Sequence, residues 1–309
     1  MDWPAPKTEF ETFSIGCVHM DVVKSNPSSR KKIFRRGIII SAILALAPLL
    51  QLSASVLVAP TAVFLSDVDR TGRMTIQNPT DKPKEVSIFF SFGLPESDSL
   101  GNVQVRLQDS GVTDTRSAVD WLKAFPRKMV LAPGATQVVR FVARPPKDLP
   151  DGEYWARIVV RSQESQSTMP SQSGDNKITT KLNMIMQTAI ILKYRTGNLV
   201  AKLDVVDTQV VALDSAVNVF VDMECRGNVS YVGILQARLL DAKNQEISTE
   251  RINLAVYRSL RRKMHLPFAE GSFQKPYHVE VLITNEGRKD LDPKSMIVGN
   301  EILLTMAAK

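Results

Sequence analysis

From Val56 onward the sequence is a succession of short β-rich runs separated by clusters of turn residues. The runs are rich in Val and Ile, and several alternate apolar with polar residues, which is the period of a strand with one buried face. The turn clusters between them include NPTDKP, LAPGA and RPPKDLPDG. One short helix is expected, at Thr115 to Ala124, where Val119 and Leu122 lie three residues apart. The chain is therefore predicted to be all-β and built from antiparallel sandwiches.

Two series of strands are separated by a turn at Thr196-Gly197-Asn198. The division predicts one sandwich domain at residues 56–196 and a second at residues 197–309. Hydrophobic residues make up 44% of the chain and charged residues 23%, so there is enough apolar material for real cores. Disorder of the whole chain is excluded.

Residues 1–55 are predicted to form an N-terminal extension and a secretory signal peptide. Five basic residues lie shortly before Gly37, residues 37–52 are almost wholly apolar, and Ser53-Ala54-Ser55 supplies the small residues of a cleavage site. The alternative is an uncleaved inner-membrane anchor, because residues 37–58 are just long enough to span a bilayer. Both place the rest of the chain outside the cytoplasm, and we expect the periplasm. The sequence leaves open whether Met1 or Met20 is the start.

The charge of the chain does not favour nucleic-acid binding. The net charge is +7, but residues 1–55 hold seven Lys/Arg and four Asp/Glu, which leaves +4 for the remainder. That excess is mild, and no basic stripe with interleaved aromatic residues accompanies it. Cys225 is alone after Val56, so no intramolecular disulfide is expected.

Motifs for catalysis or metal binding are missing from the sequence. After Val56 the histidines are His265 and His278, and there is no CxxC, HExxH, GxSxG or phosphate-binding loop. We therefore expect no enzyme activity, no cofactor, no metal site and no small-molecule substrate.

Four spaced motifs in the first series of strands occur in a fixed order. They are Leu131-Ala132-Pro133-Gly134, Gln137-Val138-Val139-Arg140, the run from Leu149 to Tyr154, and the segment from Gln187 to Arg195. In this order they resemble the periplasmic pilus-assembly chaperones of the PapD-like family, of which the chain looks like a divergent member. The resemblance covers the first domain, whereas over the second it rests on architecture alone. It implies two immunoglobulin-like antiparallel β-sandwich domains.

The resemblance also implies a function for the strand LNMIMQTAIILKYR. Such a chaperone donates its G strand to an incomplete pilus or fimbrial subunit and delivers the subunit for assembly, with an outer-membrane usher as a further partner. The donated side chains would be Leu182, Met184, Met186 and Thr188, and burying each of the larger ones would contribute roughly 1.5–3 kcal/mol. The alternative is that this face packs into the core of its own domain.

The family's ionic residues have counterparts at Arg140, Glu153 and Arg195. The resemblance implies that the three form a salt-bridge cluster near the domain junction, where it would fix the angle between the domains. The alternative is three independent, solvated charges.

The chain departs from the family at the Arg and Lys that hold the subunit's terminal carboxylate. The aligned positions are Thr61 and Ile191, neither of which is charged. Lys193 lies on the same face as Ile191, one pleat further along the strand, and is the candidate to hold the subunit's terminus instead. Two explanations stay open. One is a divergent chaperone, and the other is a two-domain immunoglobulin-like envelope or surface binding protein that is not a chaperone.

Overall fold

The computed structural model describes residues 56–108, 114–165, 184–269, 277–285, 288, 290–291, 296–298 and 301–308. The described part is built almost entirely from β-strands, which confirms the predicted fold class. The segment predicted as a signal, residues 1–55, lies outside the described residues. Within the described part, no helix has the length and apolar character needed to cross a membrane. Both sandwiches belong to one compact unit, Ser53–Lys309.

The first sandwich consists of two facing sheets. Sheet I has the strand order β1 (Leu57–Ala59), β3 (Thr71–Gln77), β9 (Thr136–Ala143) and β7 (Leu122–Phe125). Sheet II has the order β2 (Ala62–Ser66), β11 (Ile185–Thr196), β10 (Gly152–Glu164), β4 (Lys84–Ser91) and β8 (Lys128–Leu131). All neighbours are antiparallel except β2 and β11, which run parallel. The first strand of the sandwich is therefore shared between the sheets, with β1 in one and β2 in the other.

Alternate residues of these strands fill the core between the two sheets. Met74 and Ile76 on β3 and Phe141 on β9 face Ile158 and Leu192, and all five are buried. This is the arrangement expected for strands with one apolar face.

A hydrogen bond fixes the start of β10. The hydroxyl of Tyr154 donates to the carbonyl of Pro150 at 2.8 Å, in the manner of the tyrosine corner of immunoglobulin-like sandwiches.

The predicted helix at Thr115 to Ala124 is wrong. A single 3-10 turn occupies Val119–Trp121, and β7 follows it directly. Leu122 and Ala124 point into the core while Lys123 points outward, because pairing with β9 imposes the period of a strand.

The second sandwich also has two facing sheets. Sheet III contains β13 (Leu203–Ala212), β14 (Ala216–Cys225) and β17 (Ser259–Pro267). Sheet IV has the order β16 (Glu246–Val256), β15 (Tyr231–Leu240), β18 (Tyr277–Thr284) and β20 (Ile302–Ala308). Its core holds buried residues such as Val219, Met264, Leu235 and Val281. Cys225 is a half-buried free thiol, and burial raises its pKa.

Two short strand pairs complete the fold. They are β5 (Pro95–Ser97) with β6 (Val103–Val105), and β12 (Leu199–Ala201) with β19 (Met296–Val298). The β5–β6 hairpin extends from the first sandwich to sheet III, where the backbone N–H of Arg261 donates to Ser97 Oγ at 2.7 Å. Val103 of the hairpin packs against the second core. The predicted boundary at residue 196 stays a prediction, since strands of both halves pack closely together.

An apolar cluster joins the two sandwiches next to this hairpin. Phe92, Leu94 and Trp155 of the first sandwich are buried together, and Tyr257, in the turn between β16 and β17, packs against them. The rings of Trp155 and Tyr257 are 5.2 Å apart in an edge-to-face arrangement. We call this group the junction cluster.

Candidate functional site

Strand β11 has a neighbour along its whole length on one side but not on the other. β10 pairs with it from Ile185 to Thr196. On the other side β2 pairs with residues 191–195 alone. Within the described part of the chain, residues 185–190 therefore form an open sheet edge, whose unpaired backbone groups can accept another strand.

The even-numbered face of β11 changes from exposed to buried along the strand. Met184, just before the strand, is 63% exposed and Met186 is 41% exposed. Thr188 is half-buried, and Ile190 and Leu192 lie in the core. The face that fills the domain's own core thus continues into solvent beside the open edge. Leu182, the first residue of the predicted row, lies outside the described residues.

The odd-numbered face begins as a surface and ends at the junction between the sandwiches. Ile185 is 52% exposed. Ile191 packs against the junction cluster, and Lys193 and Arg195 are buried.

A buried ionic cluster surrounds the carboxylate of Glu153. Lys193 Nζ lies 3.2 Å from Glu153 Oε1, and both Nε and Nη2 of Arg195 lie 2.8 Å from Oε2. From the second sandwich, Ser230 Oγ donates to Oε1 at 2.6 Å and accepts from Lys193 Nζ at 2.7 Å. β10 and β11 bring the charges together because Glu153 and Arg195 are direct cross-strand partners. We call this group the Glu153 cluster.

Asp290 extends the Glu153 cluster on the side of the second sandwich. Its Oδ2 lies 2.5 Å from Arg195 Nη2, and its Oδ1 accepts from Arg288 Nε at 2.9 Å. Arg195 is therefore held between one carboxylate from each sandwich. A guanidinium that donates to a carboxylate of each sandwich ties the two together with directional bonds.

Electrostatics keep both carboxylates ionised. Burial of Glu153 opposes ionisation, but the charges of Lys193 and Arg195 outweigh it and hold the pKa of Glu153 below its usual range. The pKa of Asp290 is also lowered, because hydrogen bonds and charge from Arg195 and Arg288 exceed the penalty of burial. An ion pair buried in this way is costly to break from one side.

The structure brings together Glu153 and Arg195 but places Arg140 elsewhere, which corrects its predicted membership of the cluster. Arg140 lies on β9 between the core residues Val139 and Phe141, so its side chain points outward and is exposed. Its cross-strand partner is Arg73. Instead of Arg140, Lys193 completes the cluster. It is 3% exposed, and its ammonium lies 5.0 Å from the ring centre of Tyr257.

The two uncharged positions aligned with the family's anchor are neighbours in space. Ile191 pairs with Ala62, and the exposed Thr61 directly precedes Ala62 at the start of β2. Both lie where the open edge of β11 ends. Neither side chain can form a charge-assisted bond with a carboxylate. That these two positions correspond to the family's anchor stays a prediction.

Sequence reasoning missed Ser230 and Asp290. Each contacts its partner across a long stretch of chain, with sequence separations of 77 for Ser230 and Glu153 and 95 for Asp290 and Arg195. No local period or motif marks either residue.

The chain was compared with protein-family models, curated proteins and solved structures. No protein-family model matches the chain, and a search of curated proteins found no match. Among solved structures, a chaperone–tip adhesin complex of CFA/I fimbriae biogenesis is similar at 13% identity and a TM-score of 0.40, over 82% of this chain and 98% of that one. The YadV chaperone has a TM-score of 0.38 and the Pseudomonas aeruginosa CupB2 chaperone one of 0.37; both are 13% identical, over 82% of this chain and 100% of theirs. The likeness to these structures is one of fold.

Proposed function

We propose that the protein is a periplasmic chaperone that binds pilus or fimbrial-type subunits by donating β11. The observation that carries this proposal is the open edge at residues 185–190, with Met184 and Met186 exposed beside it. A strand whose apolar face served its own core would have buried these side chains. The alternative is an envelope or surface binding protein that is not a chaperone. Such a protein would not require an open edge or exposed apolar side chains on this strand.

Strand addition explains both the backbone and the side chains of this edge. A partner strand laid along residues 185–190 would complete the hydrogen bonds that β11 leaves open. Met184 and Met186 would enter an apolar groove of the partner, and each would contribute at most roughly 1.5–3 kcal/mol. The flexible thioether side chain adapts to irregular pockets, which suits more than one partner.

The second half of β11 is proposed to hold the first half in position. Lys193 and Arg195 fix the strand to the Glu153 cluster, so the donated residues project from an anchored element. Because Lys193 is buried in that cluster, it is not available to bind the terminus of a subunit. We therefore propose that the backbone ladder and the apolar row supply the holding interactions. Delivery of the subunit to an outer-membrane usher is part of the same proposal.

The proposal is tested by isolating the protein from the periplasm of its native host together with whatever it binds. The wild-type chain should co-purify with a small β-rich subunit. The variant carrying Met184→Asp and Met186→Asp should lose at least about a hundredfold in affinity for that subunit, because two charges would enter an apolar groove.

Val130→Asp is the matched control. Val130 is 62% exposed on β8, the opposite edge strand of the same sheet, so the control introduces a negative charge on an exposed apolar residue away from β11. It should leave subunit binding unchanged. Equal binding by all three proteins, or no subunit bound to the wild type, would reject strand donation.

A further inference from the structure

The outward residues on the four strands of sheet I include cations and no acidic residue, while Asp69, in the turn before β3, lines the same groove as Arg73 and Arg140. Arg73 on β3 and Arg140 on β9 are direct cross-strand partners, and Phe125 on β7 follows Arg140 in the same row. Lys123 lies in the neighbouring row, opposite Val142. Among the outward residues of these four strands none is Asp or Glu. Two like charges placed directly opposite each other destabilise a sheet unless something compensates them.

The chain around this face is basic over a continuous stretch. Residues 122–147 hold six Lys or Arg and no Asp or Glu. These six are Lys123, Arg127, Lys128, Arg140, Arg144 and Lys147. All six are exposed, and within the described part of the chain none of them, nor Arg73, lies within ion-pair distance of an acidic side chain. Of the six, Lys123 and Arg140 lie on strands of sheet I, Arg144 and Lys147 follow β9, and Lys128 lies on β8 of the opposite sheet.

Apolar side chains are exposed on the same face. Phe125 is 56% exposed, Val138 is 44% exposed and Leu57 is 55% exposed. Val138 lies one row from the pair formed by Arg73 and Arg140. Basic residues mixed with an exposed aromatic and aliphatic side chains are typical of surfaces that lie in the headgroup region of a membrane.

We propose that the outward face of sheet I docks on an anionic phospholipid surface. Lys123, Arg73 and Arg140 would contact the phosphate groups, and Phe125 and Val138 would enter the interfacial region. An anionic protein surface would neutralise the cations but would not explain why the apolar ring of Phe125 is exposed beside them. β11 belongs to the opposite sheet, so a chain docked in this way keeps its open edge free. This inference does not depend on strand donation.

The test measures how fast an amine-reactive reagent modifies Lys123 in the full chain mixed with vesicles, as read by mass spectrometry. With vesicles of equal parts phosphatidylglycerol and phosphatidylcholine, modification of Lys123 should slow at least about fivefold, and the effect should disappear near 1 M salt, where screening is nearly complete. Phosphatidylcholine alone should have no effect. Lys243, in an exposed turn of the second sandwich, is the internal control and should react equally in all samples. Because the readout is local, it holds whether or not the N-terminal segment has been removed.

Variants separate this face from net charge. Arg73→Ser with Arg140→Ser should abolish the protection of Lys123, and because both side chains are exposed, the variant should stay folded. Lys202→Ser with Arg226→Ser removes the same charge from the exposed surface of the second sandwich and should leave the protection intact. Equal rates for Lys123 with both kinds of vesicle, or the same protection from inorganic phosphate alone, would overturn the proposal.

Discussion

Glu153 is a buried acidic side chain whose carboxylate is surrounded by positively charged and hydrogen-bonding groups. Two cations on β11 and a hydroxyl from the second sandwich converge on its two oxygens. Replacing it leaves Lys193 and Arg195 buried with reduced compensation, which is more damaging than the loss of the pair itself. We therefore expect the cluster to fix the two sandwiches relative to each other. The loss of any one charge would leave the remaining charges buried with less compensation.

Glu153→Gln should lower the free energy of unfolding by about 3–5 kcal/mol at neutral pH. The folded-state pKa of Glu153 lies below its unfolded value, so its contribution is fully present above about pH 4.3 and is lost as the pH falls through the folded pKa. The difference between wild type and variant should therefore shrink below about pH 4.3. Urea unfolding measured between pH 7 and pH 3 tests this.

Glu224→Gln is the control for that experiment. Glu224 forms an exposed pair with Arg226, so its loss should cost less than about 1 kcal/mol. A difference for Glu153→Gln that is as small as this, or that grows toward acid, would contradict the role given to the cluster.

Among single residues, the period of a strand predicts which way a side chain points, whereas the contact between Glu153 and Arg195 is implied only by the family resemblance. The period of two places Arg140 between Val139 and Phe141, so its outward direction follows from the same pattern that identifies the core. The resemblance to family motifs assigned it to the cluster in spite of that pattern. Ser230 and Asp290 could not be predicted, because they meet Glu153 and Arg195 through the packing of two sandwiches.

At the scale of elements, β11 divides into two halves with different surroundings. Its alternating pattern is visible in the sequence and predicts one apolar face correctly. What the pattern cannot tell is that β2 ends its pairing at Ile191, because the length of a neighbouring strand depends on how the chain crosses between sheets. The 3-10 turn and β7 show the reverse case, since pairing with β9 overrides a weak helical period.

The β5–β6 hairpin depends on a glycine at its turn. Gly101 has φ +76, and a Cβ there would lie 2.6 Å from the backbone nitrogen of Lys263 on β17. Gly101→Ala should lower the free energy of unfolding by roughly 2–5 kcal/mol, combining left-handed strain with displacement of the hairpin from sheet III. Denaturant unfolding measures the change.

Gly134→Ala separates the two contributions. Gly134 has φ +69, but no atom lies within 4 Å of the position that a Cβ would occupy. Its substitution should cost about 1–2 kcal/mol from the backbone alone. If the two alanine variants lose the same free energy of unfolding, the close contact between the hairpin and β17 does not contribute to stability.

At the scale of the whole molecule, the two sandwiches are joined by three different kinds of contact. The Glu153 cluster supplies charge, the hairpin supplies backbone contact, and the junction cluster supplies apolar area. An ion pair between Arg258 and Asp114, 2.6 Å apart, adds a fourth contact nearer the surface. Sequence analysis predicted two sandwiches and, from the family resemblance, an ionic cluster with Glu153 and Arg195 near their junction. It did not predict the hairpin contact or the junction cluster, since their residues come from turns and strand ends.

Tyr257 is the aromatic member of the junction from the second sandwich. Burial raises its pKa to about 12, so it is a neutral phenol whose ring faces both Trp155 and Lys193. Tyr257→Ala should lower the free energy of unfolding by about 2–3 kcal/mol and increase the radius of gyration in small-angle X-ray scattering. Tyr257→Phe keeps the ring and should change neither. A compact, fully stable Tyr257→Ala protein would show that the junction does not rely on this residue.

The open edge of β11 has a cost for the protein when it is alone. From Met184 to Leu192 the chain reads MIMQTAIIL, without a charge or a proline that would discourage self-association. Two copies could pair through the same six residues that are proposed to receive a partner. The fraction of the free protein that self-associates should therefore rise with its concentration. Occupation of the edge by a partner should protect this chain from self-association as well as protecting the partner.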